Sequence, residues 1–351
     1  MQDIQHYTDT VRHAAASGKP LALQGNGTRA FLGRTTRGDP LSMADYHGII
    51  DYSPSELVIS ARAGTPLAHI EQTLAAEQQM LAFEPPAFGP TATLGGTIAG
   101  GLSGPRRPWS GAARDFVLGI NCINGHGEYL RFGGQVMKNV AGYDLSRTLT
   151  GSLGTLAILL DIHLKVLPRP EAELTLTQTC TQAEAIERCN HWSASPIPLT
   201  AACYIEDRLV FRLSGTERGV ADTASRLGGD TQPGEASIWQ DLKEQTLPFF
   251  AGDAPVWRLS LPPASAPLDS IGEQLLDWGG AQRWLRSTLP ATDIRETVQA
   301  AGGHAQLFRG GDRSGEVFQP LAANVLSLHQ RLKAAFDPQA IFNPGRMYAE
   351  L

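Results

Sequence analysis

Two glycine-dense stretches carry the residue types best suited to chemistry: Gln24-Gly25-Asn26-Gly27-Thr28-Arg29 and residues 91–104, TATLGGTIAGGLSG. The second has glycine at 95, 96, 100, 101 and 104. So many glycines would waste backbone entropy in an ordinary helix or strand. The pattern predicts a main chain that passes close to another main chain or to a ligand's phosphates. Turns that present several N–H groups form an anion nest, which captures a pyrophosphate without a helix. Arg29, Arg106, Arg107 and Arg114 are the side-chain cations available. Gly25-x-Gly27-x-x-Ala30 also invites a Rossmann reading, whose physics needs a helix to follow at once. Residues 31–38, FLGRTTRG, lack helical periodicity and hold two glycines, so that helix is missing.

The flanking pattern supplies elements to hold these loops. Ile4, Tyr7, Val11 and Ala14 predict a helix over 4–16, and a short strand at 21–23 leads into the first loop. Strands are expected at 49–52 and 57–61, then a helix with Thr65 as N-cap and Leu67, Ile70 and Leu74 buried. Two alternating runs, 117–123 and 128–132, flank Asn124-Gly125-His126-Gly127 and read as a hairpin with His126 at its exposed tip. Apolar runs at 156–162 and 164–167 read as a strand pair. Beyond Arg169-Pro170 the texture becomes strand–helix–strand, with helices near 181–191 and 219–227. A final helix over 320–336 would bury Leu321, Val325, Leu328 and Leu332.

Composition narrows the function classes. The chain has 351 residues, a formal charge of −6 and no basic tract, so a nucleic-acid role lacks support. Cys122, Cys180, Cys189 and Cys203 form no C-x-x-C pair and no metal or iron–sulfur cassette, so free buried thiols are expected and no metal. No segment approaches the roughly 20 apolar residues of a membrane span, and the N-terminus lacks a leader pattern. A cytoplasmic chain follows, peripheral to the inner membrane at most through partners.

Five blocks in order resemble the FAD-binding domain of the vanillyl-alcohol-oxidase/PCMH-type family: Gln24-Gly25-Asn26-Gly27-Thr28, Leu94-Gly95-Gly96-Thr97-Ile98-Ala99, Gly111-Ala112-Ala113-Arg114-Asp115, Lys138-Asn139-x-x-Gly142-Tyr143-Asp144-Leu145 and Gly151-Ser152-x-Gly154-Thr155-Leu156. Residues 342–348, FNPGRMY, resemble that family's ending. Segments 104–111, 130–139, 257–260, 278–284 and 303–309 are similar to the FAD-binding E subunits of bacterial glycolate oxidases. The resemblance implies an α+β fold: a two-subdomain PCMH-type FAD-binding domain over 1–170, a smaller α+β cap domain over 171–319, and a tail over 320–351 that returns to the FAD domain. It also implies a complex with a flavin-bearing D subunit and an iron–sulfur F subunit, which oxidises glycolate, a small 2-hydroxy acid, and passes electrons to a membrane acceptor.

Site roles follow from the same resemblance. Gln24, Gly25, Asn26, Gly27, Thr28 and Arg29 would cradle the FAD pyrophosphate with Leu94, Gly95, Gly96 and Thr97. Arg114 and Asp115 would join the site, residues 151–157, Gly151, Ser152, Gly154 and Thr155 among them, would run along adenine and ribose, and Asn343 would approach the flavin. The first loop has no His or Cys to bond the flavin covalently, so dissociable FAD is expected. Oxidation of a 2-hydroxy acid needs a base at the hydroxyl and a cation on the carboxylate. His304, Arg258 and Arg309 are the catalytic candidates, with Arg283 a second clamp candidate and Arg313 near His304 in sequence. No H-x-H or histidine-rich segment occurs in the cap. Two readings stay open: a flavoenzyme in its own right, or an FAD-binding assembly and electron-relay subunit whose partner carries the chemistry. Segments around Trp257, Trp278 and Trp284 are candidate partner surfaces.

Overall fold

The computed structural model describes residues 4–134, 144–231 and 235–351, so the expected block from Lys138 to Tyr143 lies outside the described residues. The chain divides into two compact units. Met1–Leu102, Ala112–Pro168 and Arg313–Leu351 form the first; Ser103–Gly111 and Arg169–Asp312 form the second. The excursion 103–111 thus leaves the segment read above as one domain, and the chain re-enters the first unit at 313 rather than 320.

The first unit is built on an antiparallel sheet in the order Ile49–Ser53, Val58–Arg62, Ile158–Lys165, Val117–Ile123, Tyr129–Gly133. Its central strand is apolar on both sides, because both faces are covered. Leu159 packs into a core with Leu67, Ile70, Leu74, Leu94 and Ile98. Leu160 packs into another with Tyr7 and Val11 from helix Ile4–Ser17 and with Ile341 and Phe342. The runs at 156–162 and 164–167 are not a strand pair. Ile158–Lys165 is a single strand, and Leu167–Pro168 pairs instead with Gln79–Met80.

Three local expectations are corrected. Helix Leu67–Ala76 is capped from Pro66; the Thr65 hydroxyl instead accepts from Gly48 N at 2.9 Å. Residues 94–100 do form a helix despite their glycines, with the Thr93 hydroxyl accepting from Gly96 N. Helix Ala323–Phe336 buries Lys333 and Phe336, whereas Val325 is 39 % and Leu328 57 % exposed. Its anchor is polar: Lys333, one position beyond the apolar period, is the buried side chain, while Leu332 packs only partly against the core.

The second unit holds an antiparallel sheet in the order Ala172–Thr179, Arg208–Gly215, Leu199–Ile205, Gln274–Asp277, Gln282–Arg286, Val256–Ser260, His304–Arg309. Helix Gln182–Ser193 starts with a capping box, Thr181 and Glu184 bonding reciprocally, and buries Ile186, Cys189 and Trp192 against Phe211 and Leu213. The excursion is tied down inside this unit. Arg106 pairs with Glu173, and Gly104 O accepts from the Trp278 indole at 3.0 Å. All four cysteines are free and buried. Among the described residues no helix is long and apolar enough to cross a membrane.

Candidate functional site

Strand Leu21–Gln24 runs into the first glycine loop, and no helix follows it; residues 27–34 are turns and bends. The loop lies directly on the N-terminus of helix Leu94–Gly100. A Cβ on Gly25 would collide with the Thr93 hydroxyl, so only glycine lets the two loops touch. The close approach inferred from the sequence is therefore in part loop against loop.

Between them opens a cleft of about 720 Å³, counting the space at its mouth, lined by Gln24–Ala30 with Thr93, Gly96, Gly100, Asn343 and Arg346. It continues into a second space of about 450 Å³ lined by Met43, Ala63, Gly95, Gly154, Ala157 and Leu159. The two share Leu23, Gln24, Gly25, Thr93, Gly96, Ala99 and Leu153. One end is therefore rich in N–H, hydroxyl and guanidinium groups, and the other is apolar. A dinucleotide carries the same division, charged pyrophosphate joined to a flat apolar ring, and the size falls in the ordinary ligand range.

The C-terminal loop closes the floor. Asn343, at φ 40°, accepts from Leu23 N at 2.9 Å and donates to Leu153 O at 2.8 Å, joining the strand before the first loop to the 151–154 turn. Gly154, at φ 71°, has no room for a Cβ, which would stand 2.8 Å from that amide nitrogen. Arg29 is 8 % exposed and donates Nη2 to Pro86 O and the Thr97 hydroxyl. Arg346 donates Nη2 to Arg29 O and Ala30 O at 3.4 and 3.3 Å, while its buried Nε has no protein partner among the described residues. Burial lowers its pKa. An unspent, desolvated guanidinium donor at the polar end suits a phosphate oxygen.

Not every expected residue reaches the cleft. Gln24, Gly25, Asn26, Gly27, Thr28, Arg29, Gly95, Gly96, Gly154 and Asn343 line it. Leu94 and Thr97 are not among its lining; both are buried side chains of helix Leu94–Gly100 itself. Arg114 and Asp115 are exposed elsewhere, with Asp115 capping Ala112 N and lying 3.6 Å from Arg147. Gly151, Ser152 and Thr155 line a separate cavity with His329, Lys333 and Met347. Sequence reasoning gave no role to Thr93, Ala99 or Arg346, whereas Leu153, which also lines the cleft, falls within the expected 151–157 segment. The signal for Thr93 was its place as N-cap hydroxyl before a helix; Arg346 was marked only by its place in the 342–348 ending, and its contact with Arg29 spans 317 residues.

The catalytic candidates His304, Arg258 and Arg309 all fall in the second unit, whereas Arg313, near His304 in sequence, belongs to the first and donates to Gly33 O. Arg283 is fully buried, its guanidinium spent on Gly280, Ala266 and Ser265 carbonyls, so it is a structural residue and no clamp. Trp257, Trp278 and Trp284 are 4 %, 6 % and 6 % exposed, which removes them as partner surfaces. Arg258 and His304 lie on neighbouring strands, and Arg309 lies across from Val256. Among the described residues no group of His, Cys, Asp or Glu could hold a metal ion.

Residues 1–133 match the family model described as "FAD binding domain". With the cleft, that match defines an FAD-binding flavoprotein of α+β fold. Over 97 % of its length the chain superposes on alkyldihydroxyacetonephosphate synthase, covering 75 % of that chain, with a TM-score of 0.66 at 14 % identity, a likeness of fold alone. It is 49 % identical over 99 % of its length, and 98 % of the relative's, to glycolate oxidase subunit GlcE of Escherichia coli. It is 25 % identical to glycolate oxidase subunit GlcD of Bacillus subtilis, over 94 % of this chain and 84 % of that one. The chain belongs to the GlcE family of glycolate oxidase subunits.

Proposed function

We propose that this chain is the FAD-binding E subunit of a glycolate oxidase complex, which oxidises glycolate to glyoxylate and hands the electrons to a membrane acceptor. The observation that carries the reading is the cleft: a polar, N–H-rich end and an apolar end formed by two loops and the C-terminal turn. The full-length relation to a glycolate oxidase subunit supplies the substrate class. FAD would supply the hydride acceptor. Loop 24–30 and Gly96 would hold its pyrophosphate, with Arg346 neutralising charge. Met43, Ala63, Leu153 and Ala157 would take the adenine, and Asn343 would fix the strand and turn on which both halves rest. The partners we infer are a flavin-bearing D subunit and an iron–sulfur F subunit.

A second reading draws on the absence of a metal-binding group among the described residues. There the chain binds FAD but serves assembly and electron relay, while the partner performs substrate chemistry. Expressing the chain alone and adding glycolate anaerobically separates the two. Bleaching of bound flavin makes this chain the enzyme, and a flavin that stays oxidised leaves it the relay. A chain that never takes up FAD overturns both.

Two further results are expected. The first loop offers Asn26, Thr28 and Arg29 and no covalent attachment side chain, so acid or heat denaturation releases all the flavin; flavin carried through a denaturing gel contradicts it. Arg346→Met removes one charge-assisted hydrogen bond to the cofactor, about 1.5–3 kcal/mol, so the Kd for FAD rises roughly tenfold to a hundredfold. A fluorescence titration of the apoprotein reads this directly, and an unchanged Kd removes Arg346 from the site.

A further inference from the structure

On the sheet of the second unit, strand Val256–Ser260 lies between Gln282–Arg286 and His304–Arg309. Ser260 is opposite both Gln282 and His304, and Arg258 is opposite both Trp284 and Gln306. Directly opposed residues share a face. One face therefore presents Gln282, Arg258, Ser260, His304 and Gln306 around Trp284. The other carries Leu259, Leu285, Ala305 and Leu307, which are buried, as are Ile294 and Val298 of helix Ala291–Ala300 beside the edge strand. The opposite face also carries Arg283, but its guanidinium is spent on backbone carbonyls, whereas the row around Arg258 is not accounted for in that way.

Arg258 is set in a fixed pose. Its Nε donates to Gln282 Oε1 at 2.6 Å; Gln282 Nε2 in turn donates to Asp277 Oδ2 at 2.9 Å, and Asp277 Oδ1 accepts from Trp278 N at 2.7 Å. The guanidinium lies 5.2 Å from the centre of the Trp278 ring, and Arg107 lies 4.4 Å from the same ring. Only Nε is thereby used. Among the described residues the terminal nitrogens of Arg258 donate to no protein group, and no carboxylate comes within ion-pair distance. Asp277 compensates the charge only at one remove, through Gln282. Burial and the nearby Arg107 push the Arg258 pKa down to about 10, the mark of a cation without a direct counter-ion. The Trp284 indole N–H is likewise buried without an acceptor. His304 is exposed as a residue and makes no hydrogen bond among the described residues; partial burial of its ring, then the Arg258 charge, lower its pKa, so it is neutral near pH 7.

We propose that this face is the carboxylate subsite for the 2-hydroxy acid: the terminal nitrogens of Arg258 take the carboxylate, and the His304 ring accepts a hydrogen bond from the 2-hydroxyl. The inference rests on the reading of the chain as a subunit that meets a 2-hydroxy acid. Arg258 and His304 are a diagonal pair across the ladder, roughly 7 Å apart at Cβ, which two long side chains close around an acid of two or three carbons. Gln282 and Asp277 act as positioning residues, since they touch Arg258 and not the ligand. Lysine at 258 keeps the charge but loses the fork that meets a carboxylate with two parallel bonds.

The test is a titration of the full FAD-loaded chain with oxalate, glycolate and acetate, read by calorimetry and by tryptophan fluorescence. Saturable binding of oxalate is expected, weakened at least tenfold in Arg258→Met and by less in Arg258→Lys. Glycolate should bind more tightly than acetate, and His304→Asn, a change at an exposed side chain, should erase that preference while leaving oxalate affinity within about threefold. Flavin content, measured in every variant, keeps two failures apart. A chain that holds FAD yet binds none of the acids, or an Arg258→Met variant that binds oxalate like wild type, overturns this inference alone. A chain that takes no FAD overturns the functional reading beneath it. A His304→Asn variant that still prefers glycolate removes His304 from the subsite.

Discussion

Replacing Lys333 with methionine lowers the melting temperature of the chain by about 10 °C and weakens FAD uptake with it. Lys333 and Asp337 are 7 % and 0 % exposed at their side chains, 2.7 Å apart, in the last turn of helix Ala323–Phe336. Every donor of the ammonium is used: on Asp337, on Thr155 O at 2.7 Å and on Phe342 O at 2.9 Å. Asp337 accepts further from Phe342 N and Ile341 N at 2.7 and 3.1 Å. Burial lowers the Lys333 pKa, and the Asp337 carboxylate works against that shift. Methionine leaves the carboxylate buried without its cation, which costs about 3–5 kcal/mol. At roughly 2–4 °C per kcal/mol for a unit of this size, the expected fall follows. The effect reaches the cleft because Phe342, gripped on both its N–H and its C=O, precedes Asn343, which ties Leu23 to Leu153. Melting curves with and without saturating FAD check both parts, since ligand adds stability only in proportion to its binding. A variant that melts within 2 °C of wild type and gains as much from FAD removes the pair from this role.

That anchor shows where sequence reading stops. The first glycine loop was legible because much of its requirement is local: a short apolar strand, a glycine at φ 75° at position 27, and no helix to follow. The hairpin 117–133 was legible for the same reason, its turn residues specifying the pairing Ile123↔Tyr129. The final helix was placed nearly right but turned wrongly. Leu321, Val325, Leu328 and Leu332 give a clean apolar period, yet Leu332 is only partly buried and Lys333 makes the fully buried contact, because two carbonyls, Thr155 O and Phe342 O, and the Asp337 carboxylate converge there. Helix Leu94–Gly100 was misread as pure loop. Glycine lowers helix propensity, but here it is required where Gly95 faces Ala63, whose Cβ would stand 2.8 Å from an added one. Segments 342–348 and 104–111 stood out by resemblance, but the contacts of Arg346 and the unit to which the excursion 103–111 belongs were illegible. Their partners are set by the tertiary fold.

Glutamine at 173 abolishes part of the acid sensitivity of the second unit and loosens the surroundings of Arg258. Glu173 pairs with Arg106, lies 4.0 Å from Arg212 and accepts from the Ser214 hydroxyl at 2.8 Å. Burial alone would raise its pKa, but attraction from Arg212 and Arg106, with the two hydrogen bonds, overrides that and holds it below the usual carboxylate value. A carboxyl depressed in the folded state stabilises above its unfolded pKa, and that stability is lost as pH falls through the folded value. Wild type therefore loses stability on descending below about pH 4.5, and Glu173→Gln lacks this share of the slope. At neutral pH the substitution leaves two guanidinium groups, 6 % and 7 % exposed, facing each other without their anion. A fully buried pair would cost about 3–5 kcal/mol, but Glu173 is 41 % exposed, so solvent screening reduces the expected loss to about 1–3 kcal/mol. The consequence reaches the proposed subsite because Arg106 anchors the same short excursion that brings Arg107 over Trp278. Tryptophan fluorescence followed from pH 7 to pH 3.5 in both forms is the measurement. Wild type should shift toward the emission of Glu173→Gln as the carboxyl protonates, and parallel curves with a constant offset would exclude Glu173 as the titrating group.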